Sequence, residues 1–600
     1  AACGPVRAAS PPGAPRAAQT AAGALGAPCG GGLAAAAWAD CTLRTLGLRE
    51  KAAQMVWPQL YGDYVAESSA QWRKAIGWVR DDKVGGILIS IGSPTEIAAK
   101  LNALQRLSVQ PLLVGADLEA GAGFRARAFF VPNAVDLGGA VYFPSQMALG
   151  ATRDSTLAYA MGRVTAEEGR ALGIHVVFSP VLDVNNNPAN PVINTRSFSE
   201  DPALAAALGA AFVRGVQDGG AIATGKHFPG HGDTDVNSHL ALPTVGASRA
   251  RLDSVELVPF RAAVRAGVGA IMTFHGMMPA LDSANVPGTL SARVLGGVLR
   301  GELGFRGLII SDAMDMRGVL DQFGPVEAAK RAVAAGADVL IQPTDVAQTI
   351  DAVVAGVREG RYDEARLDAS VRRILVEKQR LGLVTRRTVS LDSVRAVVGD
   401  SSHHALAARI AERAITLVKD SLRQVPMGRL NRGARVLSVT YARRSDLPAG
   451  ATFNAELRRR FDALRPEWVN SDDPAPNFWR LLQAADSADV VVIGSYVSHS
   501  SEARAVTVAR GFADFVRELA KRRARTVLVA FGNPYLLQQV PEVPAYLVAW
   551  SGVPSAQAAA ARALLGAAPI SGVLPVNIPP VARFGAGEQR GTVGAASPSP

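Results

Sequence analysis

Cysteines, long apolar runs and nucleotide-binding loops are all scarce in this 600-residue sequence. The only three cysteines, Cys3, Cys29 and Cys41, lie at the amino-terminal end, which argues against cysteine catalysis in the body of the chain. No apolar run reaches the roughly 18 residues that a membrane-spanning helix needs. Neither common spacing of a glycine-rich phosphate loop is present. The sequence therefore predicts neither a thiol enzyme nor a membrane-spanning helix, and it disfavours nucleotide binding.

The composition is that of an ordinary globular protein, with 48% hydrophobic and 19% charged residues. A chain of this length exceeds one hydrophobic core, so two domains are expected. The formal net charge of +11 is spread along the chain. Because it accompanies no recognisable nucleic-acid module, no nucleic-acid partner is predicted. We interpret this charge as background or as a sign of anionic surroundings such as cell-wall polymers.

Residues 1–42 are rich in Ala, Gly and Pro and lack a periodic apolar face, which predicts a flexible leader. Ala-Ala-Cys3 matches the end of a lipobox, where a bacterial signal peptide is cut and the cysteine is lipidated; an arbitrary starting point is the alternative. Cys29 and Cys41 are expected to pair if the protein is exported. We therefore expect an exported, periplasmic or lipid-anchored bacterial protein, with the cytoplasm as the alternative.

Short apolar runs alternate with amphipathic helical segments from residue 43 onward. Seven runs rich in Val and Ile, and a shorter one at 53–57, fit the strands of a (β/α)8 TIM-type barrel over 43–385. The seven runs are 84–92, 111–117, 173–184, 221–228, 269–275, 307–313 and 337–343. A linker (386–425), a smaller layered α/β sandwich domain (426–580) and a loose tail (581–600) are expected to follow.

Polar residues end five of the predicted barrel strands. Because the carboxyl ends of barrel strands meet at one rim, these side chains are expected to form a cluster. Buried charges must be paired or used in chemistry, so packing alone does not explain the cluster. The residues concerned are Asp117, Glu119, Asp183, Arg196, Lys226, His227, His275, Ser311 and Asp312.

The segment KHFPGHGDTDVNSH (226–239) carries three histidines and two aspartates. Metal ligation by His227, His231, Asp233 and His239 is one interpretation of this loop. However, His-x-x-x-His presents both rings on one face only in a helix, and the Pro-Gly pair at 229–230 forbids a helix here. No metal or other cofactor is therefore predicted.

A family resemblance rests on three long motifs: KHFPGHGDTDVNSH (226–239), FSPVLDVNNNPANPVINTRSFSEDP (178–202) and PGTLSARVLGGVLRGELGFRGLIISDAMDM (287–316). They resemble glycoside hydrolase family 3, closest to its β-N-acetylhexosaminidase, NagZ-like branch. The similarity extends from LGLREKAAQM (46–55) to SGVLPVNIP (571–579). It implies a retaining exo-glycosidase that removes terminal β-linked N-acetylglucosamine (GlcNAc) from peptidoglycan fragments or chitooligosaccharides.

The resemblance assigns Asp312 as the nucleophile and His239 as the acid/base. The family usually has Asp-Ser-His where this chain has Asn237-Ser238-His239, so a neutral amide replaces the carboxylate that orients the imidazole. Three outcomes are open: Asp235 takes over that role, the enzyme is slower with a shifted pH optimum, or much of the activity is lost. We favour an active but altered dyad.

The same resemblance gives sugar-binding and supporting roles to the other polar residues of the rim. For Lys226 and Arg196 the alternative to sugar binding is a structural ion-pair network under the pocket. For His275 the alternative is a supporting role. The altered Glu119-Ala120-Gly121 stretch leaves open which arginine of that loop lines the pocket. The sugar-binding set is Asp117, Arg196, Lys226, His227 and His275. The residues expected to tie loops together are Asp183, His231 and Asp233.

Two other functions compete with this one. A β-glucosidase or xylosidase of the same family generally lacks the histidine-bearing loop, and many carry Trp where this chain has Ala313. A non-catalytic protein that binds cell-wall sugars is made conceivable by Asn237, but it would not need an intact Asp312.

Overall fold

Eight extended segments of the first domain pair side by side, all parallel, and close into a barrel in the computed structural model. The structure describes residues 29–30, 32–130, 135–473, 476–498, 507–522 and 525–593. The first two short strands are halves of one segment around Pro58: one half pairs with the last barrel strand (Val56 with Leu340) and the other with the next strand (Gln59 with Leu88). A single bridge between Ile310 and Val339 completes the ring.

The strands of this domain are β1 Val56–Trp57, β2 Gln59–Leu60, β3 Gly86–Ile89, β4 Leu113–Ala116, β5 Arg127–Phe130, β6 Val135–Gly139, β7 Val176–Val177, β8 Ile222–Phe228, β9 Ala270–Thr273, β10 Leu308–Ile310 and β11 Leu340–Ile341. β5 and β6 form an antiparallel hairpin outside the barrel. The barrel strands β3, β4, β8, β9 and β10 are buried throughout, as expected for parallel strands covered on both faces.

Helices cover the outside of the barrel and connect it to the second domain. Those up to residue 414 are α1 Ala35–Leu43, α2 Leu48–Gln54, α3 Ala70–Ile76, α4 Pro94–Leu107, α5 Gln146–Thr152, α6 Ser155–Leu172, α7 Pro202–Asp218, α8 Arg249–Ser254, α9 Leu257–Arg265, α10 Arg317–Ala335, α11 Val346–Arg358, α12 Glu364–Arg380, α13 Leu391–Val397 and α14 Ser401–Ala414. Two π-helical turns, Gly77–Asp81 and Arg293–Glu302, add to them. No described helix combines the length and apolar character that a bilayer span needs.

The second domain is a six-stranded sheet between two helical layers. Its strands are β12 Thr416–Asp420, β13 Val436–Ala442, β14 Leu464–Asn470, β15 Val490–Ser495, β16 Thr526–Ala530 and β17 Ala545–Val548. They lie in the order β12-β17-β16-β15-β13-β14, and only β12 runs antiparallel to its neighbour. Its helices are α15 Ala451–Arg458, α16 Trp479–Asp486, α17 Arg510–Lys521, α18 Leu536–Gln539 and α19 Pro554–Leu565. Separate apolar clusters fill the two faces.

The boundary between leader and barrel differs from the expected residue 42. Residues 35–43 form helix α1, which packs on α12 with Trp38 buried. Cys29 and Cys41 form a disulfide with a Cα–Cα distance of 5.7 Å, which confirms the expected pairing. The alanine-rich stretch therefore folds because a disulfide and one buried indole hold it on the barrel. Residues 1–28, including Cys3, lie outside the described part of the chain.

The segment expected to be a linker is instead α13, α14 and strand β12. Residues spaced by three and four along α14, such as Leu406, Ile410 and Ala414, are buried, which gives this helix an apolar face. Strand β12 is hydrogen-bonded into the second sheet, so that domain begins near residue 416 rather than 426. The described part of the expected tail is also fixed, because Arg590 pairs with Ile570 and the Glu588 amide donates to the Leu417 carbonyl.

Candidate active site

A cavity of about 570 Å³ opens at the carboxyl ends of the barrel strands. Two residues of the second domain, Arg443 and Ser498, also line it, so that domain reaches the site. Seven of the predicted site residues line this cavity: Asp117, Arg196, Lys226, His227, His231, His239 and Asp312. The structure thus brings the predicted nucleophile and the predicted acid/base into one cavity.

Asp312 follows strand β10 and is held by the backbone and by a buried threonine. Its carboxylate accepts a 2.8 Å hydrogen bond from the Ala313 amide, and its own amide donates to Thr273 Oγ1 at 3.2 Å. Burial opposes ionisation, but the imidazoles of His275, His227 and His239 outweigh it, so the pKa of Asp312 lies below its usual value. The carboxylate is therefore charged at neutral pH, as a nucleophile must be.

His239 is oriented by Asn237. The His239 Nδ1 atom lies 3.0 Å from Asn237 Oδ1, and the same oxygen accepts the His239 amide at 3.0 Å. Because an amide oxygen only accepts, Nδ1 carries the hydrogen and Nε2 is the nitrogen that remains available to exchange a proton. Burial lowers the pKa of His239, and Arg196 and two neighbouring imidazoles act in the same direction against the raising effect of Asp312.

The structure does not support the expectation that Asp235 replaces the missing carboxylate. Asp235 is exposed to solvent, whereas Asn237 is buried beside the imidazole. The loop path from Asp233 to His239 brings the residue two positions before the histidine to Nδ1, and not the residue four positions before it. Asn237 therefore keeps the orienting hydrogen bond but supplies no charge.

Two carboxylates and three cations form a connected network at one side of the cavity. Lys226 Nζ lies 2.8 Å from Asp117 Oδ1 and 2.7 Å from Glu119 Oε1. Arg196 makes a two-pronged pair with Glu119 at 2.9 and 2.7 Å, and Arg125 lies 3.0 Å from Asp117. Although burial opposes it, Lys226 and Arg125 lower the pKa of Asp117 to about 2. All five side chains line the cavity, so the network is both structural and available to a sugar.

Asp183 lies beneath this network and ties two histidines to it. It is fully buried and accepts from His227 Nδ1 at 2.7 Å and from the His231 amide at 2.7 Å. His231 Nε2 lies 2.8 Å from Ser238 Oγ, next to His239, and burial lowers its pKa to about 3. Neutral His231 therefore supports the loop that carries His239. Asp233 lies farther out and pairs with Arg251 at 3.5 Å.

The prediction that His275 binds sugar is wrong, because His275 is fully buried and does not line the cavity. It instead completes a hydrogen-bonded circuit behind Asp312. The Asp312 amide donates to Thr273 Oγ1; Thr273 Oγ1 and Thr289 Oγ1 lie 2.7 Å apart; Thr289 Oγ1 lies 2.7 Å from His275 Nδ1. His275 Nε2 then lies 3.0 Å from the Ala313 carbonyl, where it can only donate. This closed circuit fixes the peptide that carries Asp312.

No group of three or more His, Cys, Asp or Glu side chains within the described residues is arranged to hold a metal ion. In particular, His231 is engaged on both ring nitrogens by hydroxyl groups, and His227 Nδ1 is engaged by Asp183.

The sequence profile of the glycosyl hydrolase family 3 N-terminal domain matches residues 47–376, and that of the family 3 C-terminal domain matches residues 325–589. The first match alone covers more than half of the chain. The chain belongs to glycosyl hydrolase family 3. This confirms the resemblance carried by the three sequence motifs, and it agrees with a barrel followed by an α/β domain.

Relatives of this family 3 chain match either nearly all of it or little more than half of it. A Cellulomonas fimi protein named beta-N-acetylglucosaminidase/beta-glucosidase is 32% identical in an alignment of 566 residues that covers 90% of this chain and 95% of that protein. A Pseudoalteromonas piscicida protein named beta-hexosaminidase A is 34% identical over 56% of this chain and 60% of its own length. The solved structure of a family 3 beta-N-acetylglucosaminidase from Paenibacillus sp. str. FPU-7 is 32% identical, covers 89% of this chain and 99% of its own, and has a TM-score of 0.77.

Several residues of this family 3 site were not among the predicted site residues. Glu119 was expected in the polar cluster at the rim but was given no role, and its pairing with two cations was not predicted. Gln342 directly follows β11 and donates to Asp315 at 2.9 Å in the cavity wall. The arginine of the loop after Glu119 that lines the pocket, which the sequence left open, is Arg125. No sequence pattern indicated Arg443 as a site residue, because it belongs to the other domain.

Proposed function

We propose that this protein is a retaining exo-β-N-acetylglucosaminidase that acts on GlcNAc-containing oligosaccharides of the peptidoglycan or chitin type. The observation that carries the proposal is the placement of ionised Asp312 and imidazole-bearing His239 in one cavity rimmed by paired charges. Support comes from relatives at 32–34% identity whose names include beta-N-acetylglucosaminidase or beta-hexosaminidase. The charged network supplies directional donors and acceptors for sugar hydroxyls.

The reaction takes two displacements at the anomeric carbon. In the first, an Asp312 oxygen forms a bond to that carbon, the glycosidic C–O bond breaks, and the leaving oxygen takes a proton from His239 Nε2. In the second, a water oxygen attacks the same carbon while Nε2 takes its proton, and the ester bond to Asp312 breaks. Each displacement inverts the configuration of the anomeric carbon, so the two together retain it. His239 ends in its starting protonation state.

The pKa directions of the two groups place the working range on the acidic side. Asp312 must be ionised, and its pKa is lowered below 3.8. His239 must be protonated for the first step, and its pKa is lowered below 6.5. The value of kcat/KM is therefore expected to rise through the pKa of Asp312, fall through that of His239, and peak between them.

Trapping of the covalent intermediate tests the assignment of Asp312. A fluorinated GlcNAc-type sugar with a good leaving group should add one sugar mass to the peptide that contains Asp312, and Asp312→Asn should prevent the addition. A label on another residue, or no label on a protein that turns over aryl GlcNAc, would refute the assignment. A non-catalytic sugar-binding protein would bind GlcNAc and release no aryl alcohol.

A second sugar specificity is proposed on one observation, the name of the Cellulomonas fimi relative, which includes beta-glucosidase. Aryl β-GlcNAc and aryl β-glucoside should be compared side by side at the same pH. We expect the GlcNAc substrate to have the higher kcat/KM. A higher value for the glucoside would reverse the order of the two activities.

We further propose that the protein works outside the cytoplasm and carries a lipid on Cys3. The Cys29–Cys41 disulfide supports export, since such bonds persist in oxidising compartments. Labelled palmitate should enter the native protein and not the Cys3→Ser variant expressed from the same full-length gene. Equal labelling, or reduced Cys29 and Cys41 in the isolated protein, would refute this location.

A further inference from the structure

Glu168 is a fully buried carboxyl group that the proposed reaction does not use. It lies on helix α6, which covers the outside of the barrel, and it does not line the catalytic cavity. Burying a carboxylate costs free energy unless hydrogen bonds and a countercharge compensate for the lost water. The partners of this group therefore indicate what it is there to hold.

Each oxygen of Glu168 holds a different part of the chain. Oε2 accepts the Val141 amide at 2.8 Å. Oε1 accepts the Gly399 amide at 2.8 Å and lies 3.0 Å from His403 Nδ1. The hydrogen bond to Glu168 raises the pKa of His403, which favours a positively charged partner for the buried carboxylate. Glu168 thereby joins α6 both to the segment after β6 and to the start of α14, which leads into the second domain.

The segment after β6 is hydrogen-bonded in turn to the loop 119–125 of the catalytic cavity. The Gly123 amide donates to the Val141 carbonyl at 2.9 Å, and a second backbone bond of 2.9 Å, from Phe143 to Ala120, joins the two segments beside it. The amide of Val141 is therefore held by the buried carboxylate, and its carbonyl holds the loop. The position of the loop depends on this one peptide segment.

Loop 119–125 carries two of the five members of the charged network, Glu119 and Arg125. Both line the catalytic cavity on the side assigned to sugar hydroxyls. Asp312 and His239 are held by other segments of the chain. A displaced loop is therefore expected to weaken the binding of the sugar in the ground state and the transition state alike. Such a loss raises KM and changes kcat little.

We propose that Glu168 is a positioning residue that holds the sugar-binding side of the catalytic cavity in place through the Val141 amide. The inference rests on the proposed function, because the loop that is positioned carries sugar-binding groups. The other oxygen has a separate task, since its contacts with Gly399 and His403 fix the connection to the second domain. Loss of the two sets of contacts should therefore have different consequences.

Glu168→Met tests the whole group, because it keeps an unbranched side chain of similar length and removes both oxygens. The Val141 amide then lacks its acceptor, and KM for aryl GlcNAc is expected to rise about fivefold or more, with kcat within about threefold of native. Glu167→Met is the matched control: Glu167 is the next residue of α6, is partly exposed and accepts from Arg163 at 2.7 Å. It should keep the native KM. A native KM in Glu168→Met, or a loss confined to kcat, would overturn the inference.

His403→Ala separates the two oxygens, because it removes a contact of Oε1 and leaves the bond from Val141 to Oε2. A lower urea midpoint is expected, with KM for aryl GlcNAc within about twofold of native. A rise in KM equal to that of Glu168→Met would show that the Val141 bond is not what sets the cavity wall, and it would overturn the inference.

Amide hydrogen exchange tests the same bond without substrate. In native protein the Val141 amide should be protected although it lies outside regular secondary structure. Fast exchange of that amide would overturn the inference even if Glu168→Met does not fold. In folded Glu168→Met, exchange should become faster in residues 119–125 and 140–143 and stay native in β8; equally faster exchange in β8 would show general destabilisation and contradict positioning. Absence of aryl GlcNAc hydrolysis by native protein would refute the proposed function, and the exchange result would still decide whether Glu168 holds the loop.

Discussion

Replacing Asn237 with Asp should move the alkaline limb of the pH profile upward. Asn237 Oδ1 already lies 3.0 Å from His239 Nδ1, so Asn237→Asp puts a negative charge beside the imidazole without a new loop path. A charge ~4 Å from the imidazolium is worth about 4 kcal/mol at an effective dielectric constant of about 20, which corresponds to a pKa higher by about three. Asn237 is only 4% exposed, so the new carboxylate must also be desolvated. A net rise in the pKa of His239 by about one to two is therefore expected.

The sign of the effect on rate follows from the role of the acid. The first displacement needs protonated His239, so native kcat/KM falls as pH rises through its lowered pKa. A higher pKa keeps the acid form to higher pH. At a pH above the pKa of both native and variant His239, raising the pKa by one increases the protonated fraction about tenfold. Part of this gain is lost because an acid with a higher pKa transfers its proton less readily.

The assay is kcat/KM for an aryl GlcNAc substrate from acidic to alkaline pH. Asn187→Asp is the matched control: its oxygen accepts the Ala189 amide at 3.0 Å, a bond an aspartate keeps, and it has no contact with His239. Asp235→Ala should leave the profile unchanged, because Asp235 is exposed. An unmoved limb in Asn237→Asp, or an equal displacement of the limb in Asp235→Ala, would refute the assignment of Asn237 as the partner.

Three further outcomes follow from other parts of the molecule. Thr289→Val breaks the circuit behind Asp312 and should lower kcat about 5- to 100-fold, because a lost buried hydrogen bond costs roughly 1–3 kcal/mol. KM should stay within twofold of the native value, and Thr289→Ser should restore kcat. Glu119→Gln leaves two buried cations under-compensated and should cost about 3–5 kcal/mol of unfolding free energy in urea titrations; an unchanged midpoint would show that the network is not stabilising. Replacing Cys29 and Cys41 with Ser removes a link across 12 residues and should lower the free energy of unfolding by at most about 3 kcal/mol. The loss should appear as faster amide hydrogen exchange in residues 35–43, and unchanged exchange would contradict the stabilising role of the disulfide.

The barrel was predictable because parallel strands covered on both faces appear in the sequence as nearly continuous apolar runs. The runs 111–117, 221–228 and 269–275 contain β4, β8 and β9, and the run 173–184 contains only two residues of regular strand, β7. The remainder of that last run leaves the barrel and carries Asp183. Strand type was therefore readable, but strand length was not, because the apolar run continues into the buried catalytic loops.

Elements at the edges were missed for the opposite reason. Strand β14, Leu464–Asn470, has exposed residues at Arg465, Pro466 and Trp468, so it lacks a continuous apolar run. The hairpin β5–β6 was also missed, although it leads to Tyr142 in the wall of the catalytic cavity. For β14, pairing with β13, which is distant in sequence, fixes the conformation, and no local pattern marks it.

The residue types of the site were predictable, but their partners were not. Motif order assigned Asp312 and His239, and the structure brings them together. His275 matched the same pattern of a polar residue at a strand end, yet it lies behind Asp312 because Thr289 and the Ala313 carbonyl engage its two nitrogens. A strand end specifies the rim of the barrel and does not specify whether a ring faces the cavity.

Formation of the glycosyl-enzyme changes the charge that His239 faces. The Asp312 carboxylate raises the pKa of His239 against burial, Arg196 and two neighbouring imidazoles, and as an ester it carries no charge. A carboxylate at position 237 would compensate for that loss, but Asn237 does not. The imidazole therefore becomes a weaker base when it must take a proton from water, and the second displacement is expected to limit turnover. Native protein should release a burst of aryl alcohol equal to the enzyme concentration, and Asn237→Asp should shrink it. Linear release from the first turnover by native protein would show that the lost charge does not slow the second step.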